Sequence, residues 1–386
     1  MDQPLQIAGL LALGLALAGS IYMLFAGLRL RALFAAAAPP AATQARAVTV
    51  LKPLHRDEPG LEAALATVLD QDYPGEVQVI FGLQDPADPA LAIVQRLRAA
   101  HAQRDVAVVV DPRAHGTNRK VANLINMAAR ARHGLIVLAD SDIVAPRDYL
   151  RRVVEPLARP EVGVVTCAYF GLGLTGIWSR LAAMDLTYRF LPSVAVGVSL
   201  GLAKPCMGST IALRREVLSE IGGFEAFADK LADDYAIGES VRAAGYRSLV
   251  APVLVGHGCA EASLSELLAH ELRWARTVRG VDPAGFAGSV VTHPLPLALL
   301  GVVLLVAAPQ ILLVWALVIF AVALMCRAWM LRQAEKVTAP VPGAWWLFPA
   351  RDMLSLVVFV GAFFVRTVQW RGARFRVDAR GDLSGI

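Results

Sequence analysis

Cysteine is scarce in this chain: four residues in 386, at Cys167, Cys206, Cys259 and Cys326. None sits in a CxxC pair or at zinc-finger spacing. That excludes a disulfide framework and a structural zinc, and leaves four reduced core or membrane residues. No GxGxxG follows the first expected strand, so a dinucleotide site is not expected. Basic residues are missing from the start, Met1-Asp2-Gln3, and the apolar run behind it is too long for a cleaved signal peptide, despite the alanines at 35–38. Charge is missing altogether from Leu5–Leu28 and from Pro294–Cys326. The net charge of +5 is modest and is accounted for by arginines flanking apolar spans, which argues against a nucleic-acid partner.

What is present is mostly apolar. Hydrophobic residues make up 56% of the chain and the mean hydropathy is +0.53, too apolar for a purely soluble protein of this length. Between the two uncharged runs the charge content is ordinary, and that segment is long enough for one domain with its own core. The pattern predicts a membrane-anchored globular domain. Leu5–Leu28 has the length of one crossing, about 20 residues. Arg29, Arg31 and Arg46 place its downstream side in the cytoplasm. A linker follows within residues 31–46, centred on Ala35–Thr43 with Pro39-Pro40. Toward the other end, Pro294–Cys326 is long for one span and short for two, with Pro309 midway, so a kinked span and a tight hairpin both fit. Ala344–Ala350, with Trp345-Trp346, reads as an interfacial belt. Met353–Val365 is a short apolar run, and basic residues from Arg366 to Arg376 predict a cytoplasmic C-terminus.

Strand and helix patterns alternate through the middle segment. Ala47–Lys52, Val77–Leu83 and Val106–Val110 read as strands. Leu61–Leu69, Ala90–Ala102 and Lys120–Arg132 read as helices. This βαβαβα order predicts a largely parallel, Rossmann-like sheet. Its centre is Leu135–Ala139, an apolar run suited to a strand buried on both faces, which ends in Asp140-Ser141-Asp142. Residues i and i+2 of an extended segment point the same way, so both carboxylates can face one ligand. Hard oxygen donors at the carboxyl end of a buried strand suit Mg²⁺ or Mn²⁺ holding a diphosphate. Read alone, the tripeptide fits equally a turn in which Asp142 caps the helix after Pro146.

Other polar groups stand at the ends of the neighbouring strands: Lys52-Pro53-Leu54 with Asp57-Glu58, then Gln84-Asp85, then Asn118-Arg119-Lys120. Lys120 and the helix N-terminus beside it can hold phosphate oxygens. Each is an ordinary solvated loop residue when taken singly; together they outline a nucleotide pocket. Farther on, Val162–Thr166 and Ser209–Leu213 read as strands. Between them Gly171–Pro205 is apolar, with Ile177, Leu181, Met184 and Tyr188 at helical spacing, which fits core packing or a surface dipping into a bilayer. Asp233-Asp234-Tyr235 opens a helical stretch, and adjacent acids there also fit a plain helix N-terminus. His270-Glu271-Leu272-Arg273-Trp274 lies on a helix followed by Arg276 and Arg279, by default a positive flank before a span.

Asp85, Asp140-Ser141-Asp142, Asp233-Asp234 and Arg273-Trp274 stand in the order of the D, D, D, (Q/R)xxRW pattern. The chain thereby resembles the ceramide-glucosyltransferase-like group of GT-A glycosyltransferases. Within that group it is most similar to the hopanoid-biosynthesis-associated glycosyltransferases, through LKPLHRDEPG at 51–60, QDPADPA at 84–90, NRKVANLINM at 118–127, GSTIALRREVL at 208–218 and HELRWART at 270–277. The likeness runs from about Val48 to beyond Pro296. His270 departs from the usual Gln or Arg, and Asp233 stands where many relatives have Glu. The resemblance implies an α/β GT-A catalytic domain, Rossmann-like with a mostly parallel sheet, over 47–285. An N-terminal transmembrane helix over 1–30 precedes it; a membrane or interfacial region over 286–370 and a basic tail over 371–386 follow.

It also implies roles. Asp85 contacts the uracil or ribose, and Lys52, Pro53 and Leu54 shape the base pocket. Lys120, Asn123, Asp140 and His270 belong to the nucleotide-sugar site. Asp140 and Asp142 hold the Mg²⁺ or Mn²⁺ ion that neutralises the leaving UDP. Asp234 is the general base, and Arg273 with Trp274 closes over diphosphate and acceptor. One base and no carboxylate nucleophile means a single inverting displacement. The expected partners are a UDP-sugar, a bilayer and a lipid acceptor: N-acetylglucosamine onto a hopanoid such as bacteriohopanetetrol, or glucose onto ceramide. The expected location is the bacterial inner membrane, with the catalytic domain facing the cytoplasm. Two other readings compete. A processive polysaccharide synthase needs more spans than this C-terminus offers. A non-catalytic sugar-nucleotide-binding membrane protein is opposed by intact Asp142, Asp234 and Arg273.

Overall fold

The computed structural model describes residues 3–34 and 46–364, together with the backbone at 368–370, 373–377 and 383–385. Helix α1 (Gln3–Phe34) opens the chain, followed by the alternation β1 (Val48–Pro53), α2 (Leu61–Leu69), β2 (Val77–Leu83), α3 (Ala90–Ala100), β3 (Asp105–Val110), α4 (Arg119–Ala128) and β4 (Leu135–Leu138). Then come β5 (Ile143–Val144), α5 (Tyr149–Val154), β6 (Val162–Gly173), α6 (Ile177–Asp185) and α7 (Leu191–Ser199), the last two joined through a π-helical turn at Leu186–Phe190. The domain closes with β7 (Ile211–Arg214), α8 (Arg215–Glu220), α9 (Asp233–Ala243), β8 (Arg247–Cys259) and α10 (Leu264–Val281). Helices α11 (Pro283–Gly288), α12 (Pro294–Leu305), α13 (Gln310–Ala334) and α14 (Ala344–Gly361) follow, and a three-stranded antiparallel sheet over 368–385 ends the described chain.

Eight strands form one sheet in the order β3-β2-β1-β4-β7-β6-β8-β5. The pairs β3–β2, β2–β1, β1–β4 and β6–β8 are parallel, whereas β4–β7, β7–β6 and β8–β5 are antiparallel. The nucleotide-side half is therefore the expected Rossmann-like array, and the other half is mixed. Successive residues of each strand face opposite layers. Val50, Val79, Phe81 and Val137 pack against α2, α3 and α5, while Leu51, Ile80, Ile136 and Leu138 pack against α4, α8 and α9.

A third core joins this domain to the apolar helices. Met23, Ala26 and Leu30 of α1 meet Ala183, Tyr188, Leu191, Met330, Leu331 and Phe348 there. Among the described residues three helices, α1, α13 and α14, are long and apolar enough to cross a bilayer; a fourth crossing exists if Pro283–Thr292 and Pro294–Leu305, bent by 70°, act as one. Close approach of α1 to its partners depends on small residues. A Cβ at Gly19 would collide with the Val291 carbonyl, and one at Gly27 with the Trp329 ring.

Several expectations need correction. Helix α1 continues to Phe34, past the 1–30 boundary, because nothing between Arg29 and Phe34 breaks a helix. The expected linker at Ala35–Thr43 lies outside the described residues. Pro294–Cys326 is neither one kinked span nor a hairpin confined to those bounds. Pro309 caps the start of α13, which runs on to Ala334. The Trp345-Trp346 belt and the Met353 run belong to one helix, α14, despite Pro349. The basic tail is described only as backbone at 373–377 and 383–385. Strand β6 extends seven residues beyond Thr166, and β8 was not anticipated, its apolar run being interrupted by Pro252. Asp142 does not cap the helix after Pro146; that helix starts from Asp148.

Candidate active site

Parallel register brings the ends of β1 and β4 together, and the antiparallel return of β7 lays Met207–Thr210 beside them. Lys52, the last charged residue of β1, is fully buried and its Nζ donates to the Asp140 carbonyl at 2.6 Å. Burial pulls this ammonium down to about 8, against the pull of Asp142 and Asp140. On the other side Lys120 Nζ lies 2.7 Å from Asp140 Oδ1 and 3.6 Å from Asp233 Oδ2. Burial disfavours its charge, but Asp140, Asp233 and Asp234 together overcome that and raise the group. The expected phosphate grip of the α4 N-terminus needs correcting. Asn118 already caps it, accepting from the Lys120 and Val121 amides at 3.0 and 3.2 Å. Asn118 also donates to the Lys230 carbonyl at 2.8 Å, tying the start of α4 to the start of α9.

Asp234 sits in the first turn of α9. Its Oδ2 accepts from the Gly208 amide at 2.9 Å and its Oδ1 from the Tyr235 amide at 2.7 Å, which fixes the carboxylate. Burial first, and Asp233 second, push it up to about 6, with Lys120 and the two amides opposing. A group in that range is suited to accept a proton near neutral pH. Gly208 stands among Asp140, Lys120 and Asp234; a Cβ there would lie 3.1 to 3.4 Å from all three side chains. Glycine keeps this cradle open.

Asp142 points toward β8. Its Oδ2 is 3.5 Å from His257 Nδ1, and its Oδ1 is buried with no hydrogen-bond partner. No three His, Cys, Asp or Glu side chains among the described residues converge on a shared metal position. Asp140 and Asp142 nonetheless fit a hard divalent ion, because such ions take one or two carboxylates and complete their shell with diphosphate oxygens and water. The unpartnered Oδ1 is the atom such an ion would engage.

A row of rings borders the cluster. Trp274 contacts His270 at 4.3 Å and His257 at 5.9 Å between centroids, His257 contacts Tyr169 at 5.4 Å, and Tyr169 contacts Phe190 at 4.6 Å. His270 Nδ1 lies 2.6 Å from Glu261 Oε1, and burial lowers the imidazole despite that partner. Arg273 is half-buried on the same turn of α10.

Lys52, Lys120, Asp140, Asp142 and Asp234 are thus brought together, with Trp274 and His270 linked to them through His257. Other expected residues stand apart. Leu54 packs in the α2–α3 core. Asn123 donates to the Gly82 carbonyl at 2.8 Å and anchors α4 on β2. Asp85 is exposed, accepting from the Ala87 amide at 2.8 Å in its own turn, and Pro53 lies partly buried at the end of β1. His257, Tyr169, Gly208 and Glu261 were not singled out from sequence. Tyr169 is raised by burial and then by Asp234, Asp140 and Asp142, which places its hydroxyl in the field of all three acids. No local spacing marks these residues; β6–β8 pairing delivers Tyr169, His257 and the Glu261 that follows β8, and the return of β7 delivers Gly208.

This sheet, with an acidic pair closing its central strand and apolar helices at both ends, defines a membrane-attached GT-A-like protein. Residues 11–383 match Glycosyl transferase family 21, and the chain belongs to that family. It is 26% identical over 253 residues to an N-acetylglucosaminyltransferase of Rhizobium meliloti (strain 1021), covering 63% of this chain and 58% of the relative. It is 22% identical over 204 residues to ceramide glucosyltransferase 1 of Caenorhabditis elegans, covering 53% of this chain and 43% of the relative. The chain therefore spans about half the length of these curated relatives. Among solved structures, the mannosyltransferase PcManGT from Pyrobaculum calidifontis, in complex with GDP-Man and Mn²⁺, superposes with a TM-score of 0.51 at 22% identity. That match covers 92% of this chain and 99% of the other.

Proposed function

We propose that this protein is an inverting, metal-dependent glycosyltransferase that moves a sugar from a UDP-sugar to a hydroxyl of a membrane lipid. The observation that carries the reading is Asp234. It is a carboxylate oriented by two backbone amides, raised toward neutral pH, and separated only by the Gly208 cradle from the acids that close the central strand. Asp142 and Asp140 would hold a divalent ion, Mg²⁺ or Mn²⁺, which would supply charge neutralisation for the diphosphate. Lys52 holds the Asp140 backbone in place, and Lys120 balances the acids on the donor side. Asp234 takes the proton from the acceptor hydroxyl as that oxygen attacks the anomeric carbon; the sugar–diphosphate bond breaks and configuration inverts. Arg273 and Trp274 cover the donor and acceptor from α10.

The favoured pair is UDP-N-acetylglucosamine and a polyhydroxylated hopanoid, bacteriohopanetetrol. The donor is supported by the Rhizobium meliloti relative's name and the acceptor by the sequence blocks at 51–60 and 270–277. Ceramide with UDP-glucose is the second reading, supported by the ceramide glucosyltransferase among the relatives. The proposed setting is the bacterial inner membrane with the domain facing the cytoplasm, as Arg29 and Arg31 at the end of α1 favour. Membranes carrying the protein, offered radiolabelled UDP-N-acetylglucosamine or UDP-glucose with either lipid, test it. Label in the hopanoid is expected. Label in ceramide alone moves the assignment to the second reading, and turnover undiminished by excess EDTA contradicts the metal.

A further inference from the structure

Four charged side chains with no part in the proposed chemistry meet where the catalytic domain rests on the apolar helices. Arg351 of α14 is 1% exposed. Its Nη1 donates to Glu271 Oε1 and its Nη2 to Glu271 Oε2, both at 2.8 Å, and Nη2 also donates to Asp185 Oδ1 at 2.9 Å. Asp185, the last residue of α6, accepts in addition from Arg189 at 2.7 and 2.5 Å and from the Ser355 hydroxyl at 3.1 Å. Two acids face two guanidinium groups, so the cluster is neutral and its members are closely paired.

Its position is what gives it a role. Glu271 follows His270 and precedes Trp274 by three residues on α10, so the anchor and the Trp274 ring are neighbours on the helix surface. Asp185 leads directly into the π-helical turn whose Phe190 ring meets Tyr169. A narrow cavity lined by Ala182, Asp185, Leu186, Glu261, His270 and Trp274 separates the anchor from the ring row. On that side the α10 turn is held by the Arg351 fork on Glu271 together with the His270–Glu261 pair.

We infer that Arg351 is a positioning residue for sugar transfer: from a membrane helix it fixes the α10 turn bearing His270, Arg273 and Trp274 over the carboxylate cluster. The inference rests on the lipid-acceptor reading above for its substrate. Lysine at this position offers one point charge and cannot hold both oxygens of Glu271 and one of Asp185 at once. Arg351→Lys in lipid nanodiscs is expected to retain Mn²⁺-dependent UDP binding within severalfold of the unsubstituted protein, since the carboxylates and lysines of the strand ends are untouched. It should lose roughly ten- to a hundredfold in kcat/KM for the lipid acceptor. Amide hydrogen exchange should quicken across 268–276 and stay unchanged across 233–243. Glu271→Gln, which keeps the shape and removes the charge, should move the same readouts and decides the matter if Arg351→Lys does not fold. Unchanged transfer with unchanged exchange at α10 would overturn the inference. Loss of UDP binding together with protection throughout the domain would overturn it too, as a purely structural effect. If the unsubstituted protein transferred sugar to no lipid, the functional proposal would fail, while the α10 exchange would still decide the role of Arg351.

Discussion

The protein holds two dense charge clusters, and they are built on opposite principles. At the candidate active site, Asp140, Asp142, Asp233 and Asp234 are set against the ammonium groups of Lys52 and Lys120 and the His257 ring, a formal excess of two negative charges with that ring neutral, and Asp142 Oδ1 and Asp233 Oδ2 have no hydrogen-bond partner among the described residues. At the membrane face, Asp185 and Glu271 are matched by Arg189 and Arg351, and Arg327 of α13 is matched by Asp352 of α14 at 2.7 to 3.1 Å. Arg327 also donates to the Tyr188 carbonyl in the π-helical turn at 2.5 Å. The difference teaches how to read buried charge. An imbalance left at the end of a sheet marks where a substrate cation and anion are expected; a closed balance deep among helices marks scaffold.

The comparison breaks most sharply at Asp234. Asp234→Asn keeps the size of the side chain, leaves one oxygen to accept from the Gly208 and Tyr235 amides, and cannot take a proton, so transfer should fall by about 10²–10⁴-fold while UDP binding survives. In the unsubstituted protein, transfer should decline as pH drops through about 6, where Asp234 protonates. The stability sign is opposite. A carboxyl raised in the folded state favours folding below its unfolded pKa and loses that contribution as pH rises through about 6. The melting temperature of the unsubstituted protein should therefore fall as pH rises through about 6, and Asp234→Asn should flatten that slope, read by thermal denaturation in detergent.

The balanced cluster should answer differently. Arg327→Met strands Asp352 among α13 and α14 and should destabilise by about 3–5 kcal/mol. Arg327→Met with Asp352→Leu removes both charges and should recover most of that loss. Equal melting of single and double variants would show that the pair is not balanced in the sense argued. The smallest of the three effects is expected at Asp142. Asp142→Ala should weaken Mn²⁺-dependent UDP binding roughly a hundredfold by calorimetry, with the melting temperature nearly unchanged.

How much of this was legible in the sequence follows from the range of the interactions. Strands β1, β2 and β4 were placed within a residue or so, because each is an apolar run bounded by breakers and satisfied by its immediate neighbours. Asp140, Asp142 and Asp234 stand at element ends, where the residues alone fit a turn or a helix N-terminus equally well; the motif resemblance supplied their proposed roles. His257, Tyr169 and Glu261 were not legible, since they reach the site only through β6–β8 pairing. Arg351 and Glu271 are 80 positions apart, and a charged residue inside an apolar helix carries no local sign of its partner. Asp85, a motif position, sits exposed in its own turn after β2, where its carboxylate accepts from the Ala87 amide.

The glycine-lined face of α1 has a consequence for how the protein is made. Gly19 and Gly27 wait for Val291 and Trp329, which are synthesised some 300 residues later. At about 5–20 residues per second, translation leaves α1 without those partners for roughly 15–60 seconds. Throughout that interval the catalytic domain emerges and can fold against α1 through Ala183, Tyr188 and Leu191 alone. The bundle closes only after the domain has left the ribosome, so a nascent chain stalled before Pro294 should carry a folded domain on an anchor that lacks α12, α13 and α14 and is open to capture by quality-control proteases.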